Sequence, residues 1–255
     1  MMLQFNKTSH LLVSIRAIKN VPCIKYIEMR QGLYFYLIEN IGMIDELLQV
    51  GYKEKIIYYL DSFVILLPDE YDEQNNLWRN FYKVFGSCYE KMIDVSHNKK
   101  CIEGMVAYIN SVIDINSSSR ILDYGCGSGL SASISTKGKI IGYDPIYEMR
   151  MQACQKGLQT LDTKQMKIIP NCYFDAIFSS YVFHMAVSED SIEEILPKMK
   201  PGAIWIANYY KGINESYVNN FFLNHDFQII KVNDMQERFG NVYEYRKRSD
   251  ANLLE

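Results

Sequence analysis

Ten residues constrain this chain more than any others: Ile121-Leu122-Asp123-Tyr124-Gly125-Cys126-Gly127-Ser128-Gly129-Leu130. A short apolar run leads straight into three glycines at alternate positions, and the pattern reads as a buried strand, a tight loop and a helix. Glycine suits a chain that must turn sharply at a strand's end and leave bare backbone against a ligand. A dinucleotide loop would read G-x-G-x-x-G, with the pyrophosphate on the next helix N-terminus. Here the third glycine comes one residue early, and Asp123 stands two positions before the first. A carboxylate in that place repels phosphate and welcomes a cationic aminoacyl group. A second apolar run, Ile140-Ile141-Gly142-Tyr143-Asp144, ends in another acid. It lies about twenty residues beyond the loop, where nucleotide sites place a carboxylate against ribose hydroxyls.

From Arg120 onward, short apolar runs alternate with helical patterns. Residues 120–124, 139–143, 174–179 and 203–209 read as strands, and 149–156 and 191–199 as helices. Such alternation predicts an α/β fold with a parallel sheet covered on both faces. Residues 227–232 and 241–246 would close it as an antiparallel edge pair.

The first part of the chain has a different pattern. Residues 31–41 form one apolar stretch; Met43, Ile44, Leu47 and Leu48 recur at helical spacing, as do Ile56, Ile57, Leu60, Phe63 and Val64. Gly42 and Gly51 punctuate them, and residues 68–76 read as a turn or wing. This predicts a small helical, winged-helix-like domain over residues 1–75 and a main domain over 76–255. Lys53 and Lys55 are outnumbered by Asp45, Glu46, Glu54, Asp61, Asp69, Glu70, Asp72 and Glu73, so no DNA partner is expected. Packing against a second copy, as a homodimer, or roofing a pocket fits better.

Net charge is −3, and the densest basic runs, Lys99-Lys100 and Arg246-Lys247-Arg248, are short; nothing favours a phosphate-rich partner. The six cysteines contain no C-x-x-C pair, so no metal site is expected. No leader precedes them, and apolar runs such as 63–67 and 203–207 are too short to cross a bilayer. A cytoplasmic protein with no membrane partner is the expectation.

These features resemble the class I methyltransferase superfamily. Asp123, Gly125, Gly127 and Gly129 fall on its first motif, Asp144-Pro145 on its second, and Phe174-Asp175-Ala176-Ile177 on its fourth-strand pattern. Residues 196–203, with Lys200-Pro201-Gly202, look like the turn before its fifth strand. The resemblance covers roughly residues 78–248. It implies a Rossmann-like seven-stranded sheet binding S-adenosyl-L-methionine at the strands' carboxyl ends. The residues implied to line that site are Asp123, Tyr124, Gly125, Cys126, Gly127, Gly129, Asp144, Pro145 and Ser179, with Asp162 as the third-strand acid beside the adenine.

Amino-methylating members carry Asn/Asp-Pro-Pro-Tyr/Phe after the fourth strand; this chain has Ser179-Ser180-Tyr181. The only Pro-Cys pair, Pro22-Cys23, lies far upstream of the position a cytosine C5 enzyme needs. His184 follows instead, in a stretch similar to the general-base motif of small-molecule O-methyltransferases that carry a winged-helix dimerisation domain. Phe81-Tyr82-Lys83-Val84-Phe85 resembles their pre-motif segment, while Met185 and Ala186 replace the usual Asp-Trp. On this mapping His184 is the catalytic base or a lining of the cofactor pocket. Tyr181, Tyr209 and Tyr210 either wall the acceptor or belong to the core, and His10, His97 and His225 are expected at the surface or in packing. The expected acceptor is a small molecule, an oxygen of a secondary metabolite. The alternatives are a macromolecule (tRNA or carrier-bound peptide) and a non-catalytic binding subunit.

Overall fold

A computed structural model describes residues 10–14, 24–38, 56–60, 63–68, 70–233, 235 and 239–247. They divide into two units, Met1–Ile93 and Asp94–Glu255. The first holds β1 (His10–Ser14), β2 (Ile24–Arg30), β3 (Leu33–Ile38), β4 (Ile56–Leu60) and β5 (Phe63–Leu67). They form one sheet in the order β2-β3-β1-β5-β4, antiparallel except where β1 runs parallel to β5.

This corrects the helical, winged-helix-like reading: strands stand where helices were expected over residues 33–38, 56–60 and 63–64. The expected helix at 43–48 lies outside the described residues. The physical reason is visible in β5, Phe63-Val64-Ile65-Leu66-Leu67, where every side chain is buried. A strand covered on both faces shows no alternation, and a short apolar run then matches a helical template equally well. Three of the six residues of β3, Tyr34, Phe35 and Tyr36, are aromatic, which suits a pleated strand better than a helix. Gln31 and Gly32, at φ 52° and 75°, join β2 to β3 between the paired residues Arg30 and Leu33. Two left-handed positions in a two-residue loop make a type I′ hairpin.

The expected turn over residues 68–76 opens a helix instead, α1 (Tyr71–Phe85), which buries Leu77, Trp78, Phe81 and Tyr82 on one stripe. Phe63 meets Phe81 and Phe85 at ring distances of 5.4 and 4.8 Å, and Phe35 meets Phe85 at 5.7 Å. These edge contacts bind α1 to the first sheet.

The second unit contains α2 (Val95–Val112), β6 (Arg120–Tyr124), β7 (Lys139–Tyr143), α3 (Tyr147–Gln155), β8 (Gln159–Leu161) and α4 (Thr163–Ile168). It continues with β9 (Phe174–Ser179), α5 (Glu189–Glu193), β10 (Met199–Tyr209), α6 (Glu215–Asn224), β11 (Phe227–Lys231) and β12 (Asn241–Lys247). The strands form a seven-stranded sheet in the order β11-β12-β10-β9-β6-β7-β8. Only β12 runs antiparallel to its neighbours, β10 and β11. This is the expected Rossmann-like sheet with its antiparallel edge.

Alternate residues of the central strands part to two faces. Ile121, Ala176, Phe178, Ile204 and Ile206 pack with Cys101, Met105 and Ile109 of α2. Leu122, Ile177 and Trp205 pack with Val218 and Phe222 of α6. Each fully buried large side chain contributes roughly 1.5–3 kcal/mol. The crossover from β6 to β7 spans only residues 125–138, so the helix expected after the glycine loop shrinks to a single 3-10 turn, Leu130–Ser133. Against it packs α2. Among the described residues no helix is long and apolar enough to cross a membrane.

Candidate active site

Parallel sheets bind ligands beyond the carboxyl ends of their strands, where the strand order reverses. Here the order reverses between β6, which is followed by β7 and β8 on one side, and β9 on the other. The glycine loop leaves β6 at that reversal. Gly125, Gly127 and Gly129 all take positive φ, 79°, 52° and 79°. A Cβ on Gly125 would lie 2.5 Å from Val182 Cγ2, and one on Gly129 would lie 2.5 Å from Ala153 Cα. The bare backbone is therefore required by close approach as well as by the turn.

The loop's amides answer the question of charge. Gly125 N and Cys126 N both donate to Tyr143 O, and Gly129 N donates to Cys126 O. Gly127 N donates to the Asp144 carboxylate at 3.0 Å. A pyrophosphate needs such N–H groups turned outward, with a helix dipole behind them. This loop turns them toward the protein and continues into one 3-10 turn.

Two buried carboxylates flank it instead. Asp123 accepts from Ser131 Oγ at 2.5 Å. Burial pushes its pKa up to about 7, against the Ser131 hydrogen bond, and the Asp144 charge adds to the rise. Asp144 also accepts from Ile146 N at 2.8 Å. Burial raises it to about 6, opposed by the Ile146 and Gly127 amides and by Arg150. The Arg150 guanidinium donates to the Asp144 carbonyl at 2.6 Å. Paired acids beside amides turned inward at Gly125, Cys126, Gly127 and Gly129 suit a sulfonium nucleoside with an ammonium tail and do not suit a diphosphate.

The other expected residues are distributed less simply. Tyr124 is buried, stacked on Tyr143 at 5.3 Å and edge-on to Trp205 at 5.0 Å, so its ring belongs to the core. The thiol of Cys126 packs with Ala153 and Leu158. Ser179 Oγ accepts from Trp205 Nε1 at 2.8 Å within the sheet. Pro145 is exposed. Asp162 caps its own helix, accepting from Gln165 N while its backbone N–H donates to Gln165 Oε1, a complete capping box. The side chains of Tyr124, Cys126 and Ser179 are therefore all engaged within the protein.

His184 sits on a 3-10 turn, Phe183–Met185. Asn214 Nδ2 donates to the carbonyls of Phe183 and His184, at 3.3 and 3.2 Å, and the Tyr210 ring lies 5.8 Å from the imidazole. Burial lowers the His184 pKa to about 3. Tyr209 lies in the core, with its hydroxyl 2.5 Å from that of Tyr245. His97, expected at the surface or in packing, is bonded to Tyr181: its Nε2 is 2.9 Å from the phenol oxygen. The residues are 84 positions apart, so no local spacing signals the pair.

The methyltransferase-domain family matches residues 122–207, from β6 through most of β10. Over residues 122–207 the chain is thus similar to a methyltransferase domain, and its seven-stranded sheet has the fold of one. The described fold agrees with the magnesium protoporphyrin IX methyltransferase of Synechocystis PCC 6803, solved with bound S-adenosylmethionine. The two share 15% identity over 68% of this chain and 97% of that one, with a TM-score of 0.51. A methyltransferase from Aquifex aeolicus is 21% identical over 60% of this chain and 97% of its own, with a TM-score of 0.43. No curated protein matches the chain in sequence. A methyltransferase domain needs a methyl donor and a methyl acceptor.

Proposed function

We propose that the domain binds S-adenosylmethionine across the β6–β7 loop and methylates a hydroxyl of a small molecule at the carboxyl ends of β9 and β10. When bound, the cofactor supplies an electrophilic methyl group and a thioether leaving group. Asp144, steadied by Gly127 N and Ile146 N, would accept from the ribose hydroxyls. Asp123 would contribute negative charge on the aminoacyl side, and the backbone after β8, near Asp162, would border the adenine. The observation that carries this reading is the loop itself, whose amides are engaged internally while two carboxylates stand beside it.

A small acceptor is supported by the absence of any long basic run in the sequence and by the aromatic character of Tyr181 and Tyr210. His184 serves here as pocket lining. An imidazole held near pKa 3 by burial is a weak proton acceptor at neutral pH.

Calorimetry with S-adenosylhomocysteine tests the site. Losing Asp144 removes two charge-assisted hydrogen bonds, so Asp144→Ala weakens binding by about a hundredfold, and Gly127→Val abolishes it. Unchanged affinity in both variants refutes the assignment. Incubation with S-adenosylmethionine tritiated on its methyl, offered phenols or bulk tRNA, tests the acceptor class; label in the tRNA alone rejects a small molecule.

A further inference from the structure

Tyr181 is the first strained residue beyond β9, with φ at 57°. Single non-glycine residues in that region carry about 1–3 kcal/mol of strain and gather where function fixes them. Here the bend is held by a dedicated partner. The Tyr181 N–H donates to Asn208 Oδ1 at 2.7 Å. Asn208 is fully buried, and its Nδ2 donates in turn to Phe239 O at 3.1 Å. A buried asparagine on β10 thus fixes one backbone turn beyond the carboxyl end of β9, next to Val182, which presses on Gly125.

The bend delivers the phenol to His97. The hydroxyl and Nε2 stand 2.9 Å apart, with the imidazole anchored in the first turn of α2, where its backbone N–H donates to Asp94 Oδ1 at 2.9 Å. The Phe239 ring lies 5.3 Å from the imidazole and limits its tilt. With the proton on Nδ1, His97 accepts from the phenol. The titratable groups around the pair are Asp94, which caps α2, Cys101 on α2, and Tyr210, just beyond β10. Burial raises the Tyr181 pKa above the usual phenol value, and Cys101 and Tyr210 add to the rise. Tyr181 therefore stays protonated and can pass a proton on only as it receives one.

We propose that Tyr181 meets the acceptor's hydroxyl and that His97, acting through Tyr181, takes up the proton released there. The proposal rests on the methyl-transfer reading above and names the acceptor as a phenol or other hydroxyl compound. As the acceptor oxygen's lone pair bonds to the methyl carbon, the electrons of the carbon–sulfur bond stay on sulfur. The acceptor's proton moves to the Tyr181 oxygen while the phenol proton moves to His97 Nε2. The positive charge lost from the sulfonium reappears on the imidazolium, which releases its proton to water. Tyr181 is the catalytic residue of the pair and His97 the positioning residue behind it.

The test uses the full chain saturated with S-adenosylhomocysteine and 4-nitrophenol as the probe, since its phenolate is yellow and its phenol is not. In the wild type the bound probe ionises about one pH unit lower than the free probe, because a donor that relays its proton favours the charged form. Tyr181→Phe and His97→Gln abolish that shift while S-adenosylhomocysteine affinity, read by calorimetry, is unchanged. With S-adenosylmethionine present, His97→Ala slows methylation of the probe about a hundredfold, and added imidazole restores it. An unshifted probe in the wild type, a shift retained in both variants, or lost S-adenosylhomocysteine affinity in Tyr181→Phe overturns the proposal. Should Tyr181→Phe fail to fold, the spectrum of His97→Gln and the imidazole rescue decide alone. Wild-type protein that does not bind S-adenosylhomocysteine rejects the methyl-transfer reading itself, a result the calorimetry separates from failure of the pair.

Discussion

Gly129 concentrates at one residue what the sequence makes legible. Its φ of 79° places it where other residues are strained, and a Cβ would lie 2.5 Å from Ala153 Cα and 2.7 Å from Ala153 Cβ. Left-handed strain of about 1–2 kcal/mol adds to overpacking of about 1–3 kcal/mol. Gly129→Ala is therefore expected to lower stability by about 3 kcal/mol, read as a fall in the urea midpoint at unchanged slope. Gly157 supplies the comparison: its φ is 87° and nothing lies within 4 Å of an added Cβ. Gly157→Ala should show the backbone strain alone, and equal losses at both sites would contradict the crowding. Glycines and acids at this spacing are readable because backbone geometry dictates residue type within a few positions. His97 and Tyr181 are not readable that way, since their meeting depends on a left-handed turn after β9 and on a side chain from β10. His184 is legible in place and not in state, because burial is decided by the packed loops around it.

Among the elements, α4 shows how a residue singled out for ligand binding can have local work to do. Asp162 closes a capping box with Gln165, at 2.8 and 2.9 Å. Asp162→Ala should lower stability by about 1 kcal/mol through the lost cap, and any further loss of S-adenosylhomocysteine affinity measures the carboxylate's contribution to the adenine side. Asp162→Asn restores the cap without the charge, so stability should recover with it; a variant that stays as unstable as alanine argues against the cap. The strands of the second unit were readable because β6, β7 and β9 carry short apolar runs bounded by Gly, Asp or Ser. The first sheet was not, since β3 and β5 lack clean alternation and a lone apolar run fits either period. The 3-10 turn Leu130–Ser133 is illegible in the sequence for another reason: a glycine loop of this pattern commonly leads into a helix, and only the distance to β7 leaves no room for one.

At the scale of the whole molecule, the two acids beside the loop set a conflict between stability and binding. Asp123 and Asp144 have pKa values pushed up to about 7 and about 6, from an ordinary 3.8. Between about pH 4 and 7 the folded, ligand-free chain thus holds protons that the unfolded chain has already released. By linkage, their contribution to stability is full below about pH 4 and is lost as pH rises through 6 and 7. A cation at the loop reverses the preference, because only ionised carboxylates attract it. The contribution of these two groups should therefore make the ligand-free protein melt lower at pH 7.5 than at pH 5, while the rise in melting temperature produced by S-adenosylmethionine grows over the same interval. Asp123→Asn removes one of the two titrations and should flatten both curves together, and a variant whose two curves keep the wild-type slopes would break the link between them. A phosphate-bearing ligand would behave oppositely, repelled more strongly as the acids ionise. The pH dependence of the ligand-induced shift therefore reads the sign of the charge this loop was built to receive.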